Sequence, residues 1–443
     1  MTQHPDIVNW NPEPADGPLR ETRPGSTAFR LASLSSPLLK LNDFIYQSEG
    51  MTNSYLIKTS EGDVLVCPGL VVEGEIHRQK FAQVSSGPLR YVILTQGHVD
   101  NVGGLPAFAG PGVEVIAHRD SPNCQIDDER IKGFRDIRNP RFFPQVLSSL
   151  AEADREAMKR GMETAHQRAE ATVLIDKEAT HRFTLGGVRF EIIAIPGGET
   201  LDSLLVWLPD QRIVFTGNCL GPLFPHMPNL HTIRGDKPRP VLPYIGTYDK
   251  LLSLGAELLI TGHFEPVAGA QLVHDELKRL RDAVQYVHDE TVKGMNTGKE
   301  LYALMREIKL PEALKVGEDY GTVMWAVQAI WYGYAGWFLF KSTTEIYPVP
   351  VRDVYAEIAD VAGPAALAAR ARKLLADGRS LDAIHLSEIA LAKVPRLAEA
   401  LQVYLEAHER LLAESSPKNR WFLFWLQGEI DQTRARLAQG AAA

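Results

Sequence analysis

A cluster of polar side chains suited to metal chemistry follows a short apolar segment near residue 95. Residues 91–94 are apolar and partly β-branched, which predicts a buried strand. Four potential ligands then fall within six positions, and these are Gln96, His98, Asp100 and Asn101. Imidazole nitrogens and carboxylate or amide oxygens are ordinary ligands of divalent metals. The sequence therefore predicts that a loop at the end of this strand holds a metal.

The spacing of these residues resembles the signature of the metallo-β-lactamase superfamily, T-H-x-H-x-D-H-x-G-G. In that signature the first two histidines hold one metal ion, and the Asp-His pair holds a second. This chain retains Thr95, His98 and Asp100, and both glycines follow them. Gln96 and Asn101 occupy the places of the two missing histidines.

Three further segments agree with this resemblance, in the order and at the intervals of the superfamily. Glu199 follows a predicted strand at 190–195, where the superfamily places another ligand of the first metal. Asn218 stands in the place of a carboxylate that bridges the two metals, and His263 in the place of the final histidine. The resemblance implies an α+β fold, the αββα sandwich of the superfamily.

Other segments resemble one branch of the superfamily, the alkyl sulfatases. That branch uses glutamate ligands at two of these loops, and Gly198-Glu199 and residues 217–219 are similar to it. Residues 229–235 resemble its N-L-x-T-x-R-G run, and residues 281–289, 320–323 and 336–338 resemble its helical dimerisation domain. The resemblance implies a homodimer formed through the C-terminal helices.

The substitutions determine which metal chemistry the resemblance implies. A neutral amide at Asn218 supplies an oxygen but no charge to offset the repulsion between two cations. We therefore expect one divalent metal, zinc, iron or manganese, with His98, Asp100 and His263 as the favoured contributors. The first site would comprise Gln96, His98 and Glu199. The second would comprise Asp100, Asn101, Asn218 and His263.

Catalysis would then use a metal-bound water. A divalent ion lowers the pKa of a coordinated water toward neutrality and polarises an ester, lactone or sulfate oxygen. Asp100 would orient that water or accept its proton. Arg234 suits bidentate contact with a sulfate or carboxylate, and His226, which follows Pro225 in a stiff loop, would contact the same anion.

The leading hypothesis is a metal-dependent hydrolase of a sulfate ester, carboxylic ester or lactone, acting on a small molecule, anionic ones included. Two alternatives stay open. One is a member of the fold that binds a ligand or partner without turnover. The other is a single-iron redox or lyase enzyme.

Composition excludes several other classes of protein. The 443 residues are 45% hydrophobic and 23% charged, which is typical of a globular chain with more than one domain. A net charge of -8 disfavours binding to nucleic acid or to an anionic membrane. Three scattered cysteines do not form a disulfide framework, and the N-terminus lacks the pattern of a signal peptide. We therefore expect a cytoplasmic protein that acts on small molecules.

Residues 321–340 contain no charged side chain and are long enough to span a bilayer. Their bulk, however, is aromatic, and Gln328 and three glycines interrupt the segment. These features favour a buried or dimer-interface helix over a membrane span.

Apolar periodicity divides the chain into a β-rich first part and a helical second part. Strands are predicted at 54–57, 64–66, 91–94, 113–117, 172–175, 190–195, 204–208, 213–216 and 258–261, with helices at 75–84 and 151–169. Helices alone are predicted after residue 266, at 274–295, 321–340, 364–376, 380–393, 398–414 and 421–438.

The last four helices resemble tetratricopeptide-like pairs. We expect an irregular arm at 1–26, a metallo-β-lactamase-like catalytic domain at 27–275 and an all-α dimerisation domain at 276–443.

Overall fold

The computed structural model describes residues 6–12, 17–159 and 167–441. The chain divides into two compact units, Met1–Gly333 and Tyr334–Ala443. The domain limits expected from the sequence stay a prediction. Parts of the expected N-terminal arm (1–5 and 13–16) and of the helix expected at 151–169 (160–166) lie outside the described residues.

Eight strands of the first unit form one mixed sheet, in which neighbours in the chain are also neighbours in the sheet. They are β1 (Ile7–Asn9), β2 (Leu38–Lys40), β3 (Ile45–Ser48), β4 (Ser54–Thr59), β5 (Gly62–Val66), β6 (Leu89–Ile93), β7 (Glu114–His118) and β8 (Val173–Ile175). Strands β2 to β5 pair antiparallel, whereas β5 to β8 pair parallel. The ends of β5 and β6 therefore lie at the same edge as the start of β4.

A second sheet contains six strands, in the order β14-β13-β12-β11-β10-β9. They are β9 (Thr180–Leu185), β10 (Val188–Ala194), β11 (Leu204–Leu208), β12 (Ile213–Gly217), β13 (Leu258–Thr261) and β14 (Val267–Ala268). Strands β9 to β12 pair antiparallel, and β12 pairs parallel with β13. The ends of β10, β12 and β13 therefore share one edge of this sheet.

Alternation of side chains along the strands buries both faces of the first sheet. Ile57 and Ile93 join Phe215 of the second sheet in one buried cluster. Their chain neighbours Leu56 and Val92 belong to a separate cluster on the other face. The two sheets pack face to face, and this arrangement confirms the predicted sandwich.

Ten α-helices begin in the described part of the first unit. They are α1 (Leu19–Thr22), α2 (Val71–Phe81), α3 (Val99–Val102), α4 (Ser121–Arg130), α5 (Lys132–Phe142), α6 (Pro144–Lys159), α7 (Val241–Leu254), α8 (Ala270–Asn296), α9 (Leu301–Glu307) and α10 (Val323–Ala335). Phe81 of α2 and Val102 of α3 complete the cluster on the outer face of the first sheet. Helix α7 packs against α8.

The second unit is helical in the described residues. Its helices are α11 (Tyr355–Ala362), α12 (Pro364–Ala376), α13 (Ser380–Lys393), α14 (Ala398–Glu414) and α15 (Arg420–Ala441). Small side chains lie where three of these helices meet, because Ala371, Ala383 and Ala407 are fully buried together with Val403. The bounds predicted for α12, α13 and α14 agree with the structure at both ends.

Two expectations about regular structure are wrong. The arm is not irregular throughout, since β1 pairs parallel with β2, and α1 follows. A strand also occurs beyond residue 266, because β14 pairs antiparallel with β13. Both strands are short and lie at sheet edges, and all three side chains of β1 are exposed. Their pairing depends on backbone groups, so the apolar pattern does not reveal it.

The helix predicted at 321–340 is shorter in the structure. It ends at Ala335, and Gly336 takes a left-handed conformation with φ of 71°. Among residues 6–12, 17–159 and 167–441, no helix is long and apolar enough to cross a membrane.

Candidate metal centre and its cavity

Backbone hydrogen bonds bring the predicted loops together. The loop after β6 is bound to the second sheet through Leu204 N, which donates to Thr95 O at 2.8 Å. The loop after β10 is bound to the loop after β12, because Glu199 N donates to Cys219 O at 3.0 Å. These loops therefore meet at one edge of the sandwich.

Two glycines let the loops approach closely. Gly262 N donates to Gly217 O at 2.8 Å, which joins the loops after β12 and β13. A Cβ on Gly262 would collide with Oδ1 of Asn218, and a Cβ on Gly217 would collide with Thr95 Oγ1. Gly217 also has φ of 50°, which favours glycine. The close contact of the loops therefore requires glycine at both positions.

Gln96, His98 and Glu199 converge at this edge. Gln96 Nε2 lies 3.0 Å from His98 Nδ1 and 3.1 Å from Glu199 Oε2, and these last two atoms are 3.7 Å apart. The oxygen and nitrogen of an amide exchange places when the amide rotates by half a turn. The same geometry therefore presents either the nitrogen or the oxygen of Gln96 to the imidazole and the carboxylate.

Glu199 also forms a buried ion pair with Arg239. Arg239 Nη2 lies 3.0 Å from Glu199 Oε1, and each side chain is only 4% exposed. Arg239 Nη1 donates to Asn229 O at 2.9 Å, which fixes the guanidinium. A permanent positive charge thus lies beside the predicted ligands.

The charges of Glu199 and His98 support each other. Burial favours the neutral carboxyl, but Arg239 and His98 outweigh it and hold the pKa of Glu199 well below its usual range. Burial also opposes protonation of His98, yet Glu199, with Asp236 and Asp128, raises the pKa of His98 to about 9. Without a metal, both pKa shifts favour the charged forms of these two side chains.

Asp100 lies in a separate group, with Thr52 and Asn218. Its Oδ2 accepts hydrogen bonds from Thr52 Oγ1 at 2.6 Å and from Asn218 Nδ2 at 3.0 Å. Asn218 therefore contacts Asp100 as a donor, where the superfamily has a carboxylate that could not donate. The structure brings these two predicted residues together, while their service as metal ligands stays a prediction.

Asn101 takes part in a buried network beneath the loop. Its Oδ1 accepts hydrogen bonds from Thr95 Oγ1 at 3.2 Å and from Cys67 Sγ at 3.3 Å. Burial raises the pKa of Cys67 to about 11, so the thiol stays protonated and donates. The amide oxygen of Asn101 is thus already engaged, and its role as a ligand stays a prediction.

His263 is buried at the end of β13, under the N-terminal segment. Its ring packs on Phe29, with the ring centroids 4.9 Å apart. Arg23 anchors this segment, because its Nη1 donates to Glu265 O at 2.7 Å. The chain before β2 therefore covers the His263 loop, and the proposed ligand role of His263 stays a prediction.

Arg234 and His226, the predicted contacts of an anion, are engaged with other residues. Arg234 Nη2 lies 2.5 Å from Asp236 Oδ2. His226 is buried, and its Nδ1 accepts a hydrogen bond from Asp319 N at 3.2 Å. Their contact with substrate stays a prediction.

A cavity of about 400 Å³ opens beside the first group of predicted ligands, which is Gln96, His98 and Glu199. It is bounded by α4, the start of α5, the loops after β6 and β10, and residues 236–240. His98, Glu199 and Arg239 line it, whereas Arg234 and His226 are not among its lining residues. The predicted first site therefore borders a space of the size of a small molecule.

The types and separations of the donor atoms of Gln96, His98 and Glu199 show whether this group fits a metal ion. Within the described part of the chain, no three His, Cys, Asp or Glu side chains are arranged to hold a metal ion. One imidazole, one carboxylate and one amide do converge, however, with atoms 3.0–3.7 Å apart. Two ligands at about 2.1 Å from a tetrahedral ion lie about 3.4 Å apart. Gln96 Oε1 is moreover buried without a hydrogen-bond partner, so this group fits one divalent ion once the amide rotates.

Sequence reasoning missed Arg239 and Thr52. Arg239 stands five residues after Arg234 in the segment Lys-Pro-Arg-Pro, and a second arginine so close to the first was an available signal. Thr52 carried no signal, because it is an ordinary loop residue that only folding brings to Asp100.

Similar proteins are known for both parts of the chain. Residues 48–263 match the metallo-beta-lactamase superfamily, and residues 301–433 match the alkyl sulfatase dimerisation family. The chain is 28% identical over 312 residues to a linear primary-alkylsulfatase of Pseudomonas sp., which covers 67% of this chain and 58% of the relative. It is 24% identical to an alkyl/aryl-sulfatase of Saccharomyces cerevisiae, over 68% of this chain and 49% of the relative. The chain thus spans about half of the length of these relatives, or slightly more.

The fold is also similar to a solved structure, that of a stereoselective inverting sec-alkylsulfatase from Pseudomonas sp. The TM-score is 0.74 at 21% identity, over 89% of this chain and 65% of the other. At that identity the likeness concerns the fold alone. Residues 48–263 therefore match a metallo-β-lactamase domain and residues 301–433 an alkyl sulfatase dimerisation domain, and the fold agrees with this order.

Proposed function

We propose that this protein hydrolyses sulfate esters of small alcohols, using one divalent metal held by Gln96, His98 and Glu199. The observation that carries the proposal is the convergence of these three side chains beside the 400 Å³ cavity, which His98 and Glu199 line. The relatives named alkylsulfatases support this class of substrate. When bound, the metal supplies an activated water and polarises the ester.

Arg239 provides a binding group for the sulfate. It lines the cavity, and its Nε–H is buried without a hydrogen-bond partner in the described residues. A guanidinium N–H forms a strong, charge-assisted hydrogen bond with a sulfate oxygen. The free donor therefore supports an anionic group at this end of the cavity.

Asp100 acts on the proton of the attacking water. Both of its hydrogen bonds, from Thr52 and Asn218, reach Oδ2. Oδ1 is therefore left to orient a water molecule or to accept its proton.

The second part of the proposal is a homodimer that forms through the C-terminal helices. The match to the dimerisation family over residues 301–433 supports it. Large aromatic side chains are also exposed there, with Trp337 67% and Phe340 74% accessible. Exposed aromatic side chains of this kind are typical of protein interfaces. Analytical ultracentrifugation tests this part, and a chain that sediments as a monomer would contradict it.

Metal content and turnover, measured on the same preparation, test the catalytic part. We expect about one equivalent of metal per chain, and hydrolysis of hexyl sulfate that a chelator abolishes and added metal restores. His98→Ala should lose both the metal and the activity. His385→Ala, which changes an exposed histidine of α13, is the matched control and should keep both. Full-length protein that holds no stoichiometric metal after growth in metal-supplemented medium would contradict the proposal.

Ligand binding without turnover is the second candidate function, and the Glu199–Arg239 ion pair favours it. Because a fixed cation already balances this carboxylate, the site is electrostatically stable without a metal. Metal-free protein that binds hexyl sulfate with unchanged affinity, and never hydrolyses it, would support this candidate over hydrolysis.

A further inference from the structure

One carboxylate on the cavity wall belongs neither to the proposed metal ligands Gln96, His98 and Glu199 nor to the ion pairs around them. Asp202 lines the cavity and is only 2% exposed. No nitrogen or oxygen donor of the described residues forms a hydrogen bond with either of its carboxylate oxygens. Burying a carboxylate without donors is unfavourable, so this arrangement indicates a site that a ligand completes.

The other carboxylates of the same wall have partners. Each of the five remaining Asp and Glu side chains that line the cavity forms an ion pair with Lys or Arg. Asp120, for example, lies 3.1 Å from Lys177 Nζ. Among the cavity residues that the structure describes, Asp202 therefore differs from its neighbours in lacking a cation.

Asp202 is held against the backbone of the metal loop. A Cβ on Gly97 would lie 2.9 Å from Asp202 Oδ2 and 3.0 Å from Cys124 Cβ, so these groups pack tightly. Gly97 stands between Gln96 and His98 in the chain. Asp202 is thus next to the proposed catalytic group, on the wall of the same cavity.

Cys124 and His118, two titratable side chains that interact with Asp202, do not supply a cation. Burial, followed by Asp202 itself, raises the pKa of Cys124, so the thiol stays neutral and is at most a weak donor. Burial lowers the pKa of His118, although Asp202 acts in the opposite direction. Among the described residues no Lys or Arg forms an ion pair with Asp202, so a positively charged ligand would balance this carboxylate.

We propose that Asp202 binds a substrate ammonium group, so that the cavity takes sulfate esters of amino alcohols. The sulfate end lies at Arg239 and the ammonium end at Asp202, and both side chains line the one cavity. An ammonium N–H and a carboxylate form a strong hydrogen bond when both are removed from water. The assignment of the sulfate end rests on the proposed function, whereas the ammonium end rests on Asp202 alone.

A matched pair of substrates tests the inference with the metal-loaded, full-length chain. The pair is hexyl sulfate and 6-aminohexyl sulfate, which differ only in the terminal ammonium. We expect kcat/KM to be at least about 10-fold higher for the amino ester, the usual size of one charge-assisted hydrogen bond. Asp202→Asn should reduce this ratio to about one. Asp120→Asn, which changes a carboxylate of the same wall that already has a lysine partner, should keep the ratio.

A binding measurement separates this inference from the proposed hydrolysis. Calorimetry with hexylammonium and metal-free protein should show binding that Asp202→Asn abolishes and Asp120→Asn retains. Thermal unfolding serves as the folding control, and Asp202→Asn should unfold at the same or a higher temperature because it removes a buried, unpartnered carboxylate.

If hexylammonium binds at Asp202 and no sulfate ester is hydrolysed, the ammonium site stands and the proposed function fails. If hexyl sulfate is hydrolysed while neither the ester ratio nor hexylammonium binding depends on Asp202, the ammonium site is overturned and the hydrolase stands. A higher kcat/KM for 6-hydroxyhexyl sulfate than for the amino ester also overturns the ammonium assignment.

Discussion

The candidate site has two halves: the first is the group of Gln96, His98 and Glu199, and the second is the group of Asp100, Thr52 and Asn218. Each half retains one carboxylate and uses it differently. Glu199 pairs with a fixed guanidinium, at 3.0 Å from Arg239. Asp100 instead accepts hydrogen bonds from two neutral donors, Thr52 and Asn218. The charge of the first carboxylate is therefore balanced within the protein, whereas among the described residues no Lys or Arg forms an ion pair with Asp100.

The difference shows what an amide does in the place of a superfamily ligand. Gln96 Nε2 donates to Glu199, and Asn218 Nδ2 donates to Asp100, so each amide stabilises the carboxylate beside it without a metal. Rotation of the Gln96 side-chain amide would bring its oxygen beside His98 and Glu199, and the three side chains would then form a set of metal ligands. In the second half the amide competes with the metal for the same carboxylate oxygen.

The largest effect should follow from removal of the cation in the first half. Arg239→Gln leaves Glu199 buried without its partner, and we expect the free energy of unfolding to fall by about 3–5 kcal/mol. Urea denaturation of the metal-free protein measures it. The control is Arg182→Gln, which breaks an exposed pair with Glu191 and should cost less than about 1 kcal/mol. Equal losses in the two variants would contradict a balanced charge in the first half.

A pH dependence of stability should follow from His98. Its pKa rises from 6.5 to about 9 on folding, so its stabilisation is complete below about pH 6.5 and is lost as the pH rises through about 9. The loss should amount to about 3 kcal/mol in metal-free protein, at about 1.36 kcal/mol per pKa unit. His98→Gln should remove this slope. Glu199 acts in the acid range, because its lowered pKa gives stability above about pH 4.5 that is lost as the pH falls. An unchanged slope in His98→Gln would refute the charged pair.

Metal affinity should distinguish the two halves directly. His98→Ala removes a proposed ligand, and we expect the dissociation constant for zinc to rise more than about 100-fold, by more than the 10- to 100-fold usual for indirect partners. Asp100→Asn should raise it less than about 10-fold, since Asp100 lies in the other half. Competition with a chelating dye measures both constants. A larger effect from Asp100→Asn would place the ion in the second half.

The smallest effect should come from Thr52. Thr52→Val deletes one hydrogen bond to Asp100 and should lower the free energy of unfolding by about 1–2 kcal/mol. The same variant should lower kcat more than it changes KM, because Asp100 loses its orientation. Thr59→Val, which loses a hydrogen bond to Gly62 O far from the site, is a control for stability that should leave kcat unchanged. A kcat equal to that of the unaltered protein would show that Thr52 has only a structural role.

Regular structure was predictable wherever its signal is local. Helices α12 to α14 agree with prediction at both ends, because their apolar spacing is strict and Gly378 and Pro395 mark the turns between them. Strands β1, β2, β3, β9 and β14 were missed, and of these β1, β9 and β14 lie at sheet edges, where the backbone provides the pairing. Strand β1 pairs with the distant residues Leu38–Lys40, whereas β14 has only two residues and returns on the preceding strand, and neither leaves a periodic pattern.

Within the site, the residue types that follow each strand were predictable, whereas their partners were not. His98, Glu199 and Asn218 stand in the loops that the motif indicates, and the structure brings these loops to one edge. Arg239 and Thr52 bear no motif of their own, although they decide the electrostatics of both halves. Asp202 was missed for the same reason, because an unpartnered carboxylate is recognised only from its surroundings.

The sequence by itself determined most of the strands, the order of the loops and the chemical type of each donor, because strand periodicity and motif spacing are local properties, and the resemblance to the superfamily implied the sandwich. The tertiary structure alone decided which group each donor faces. Glu199 reaches Arg239 across 40 positions of the chain, and Asp100 reaches Asn218 across 118. Charge balance depends on distances of about 3 Å between such remote residues, and those distances exist only after the two sheets have packed.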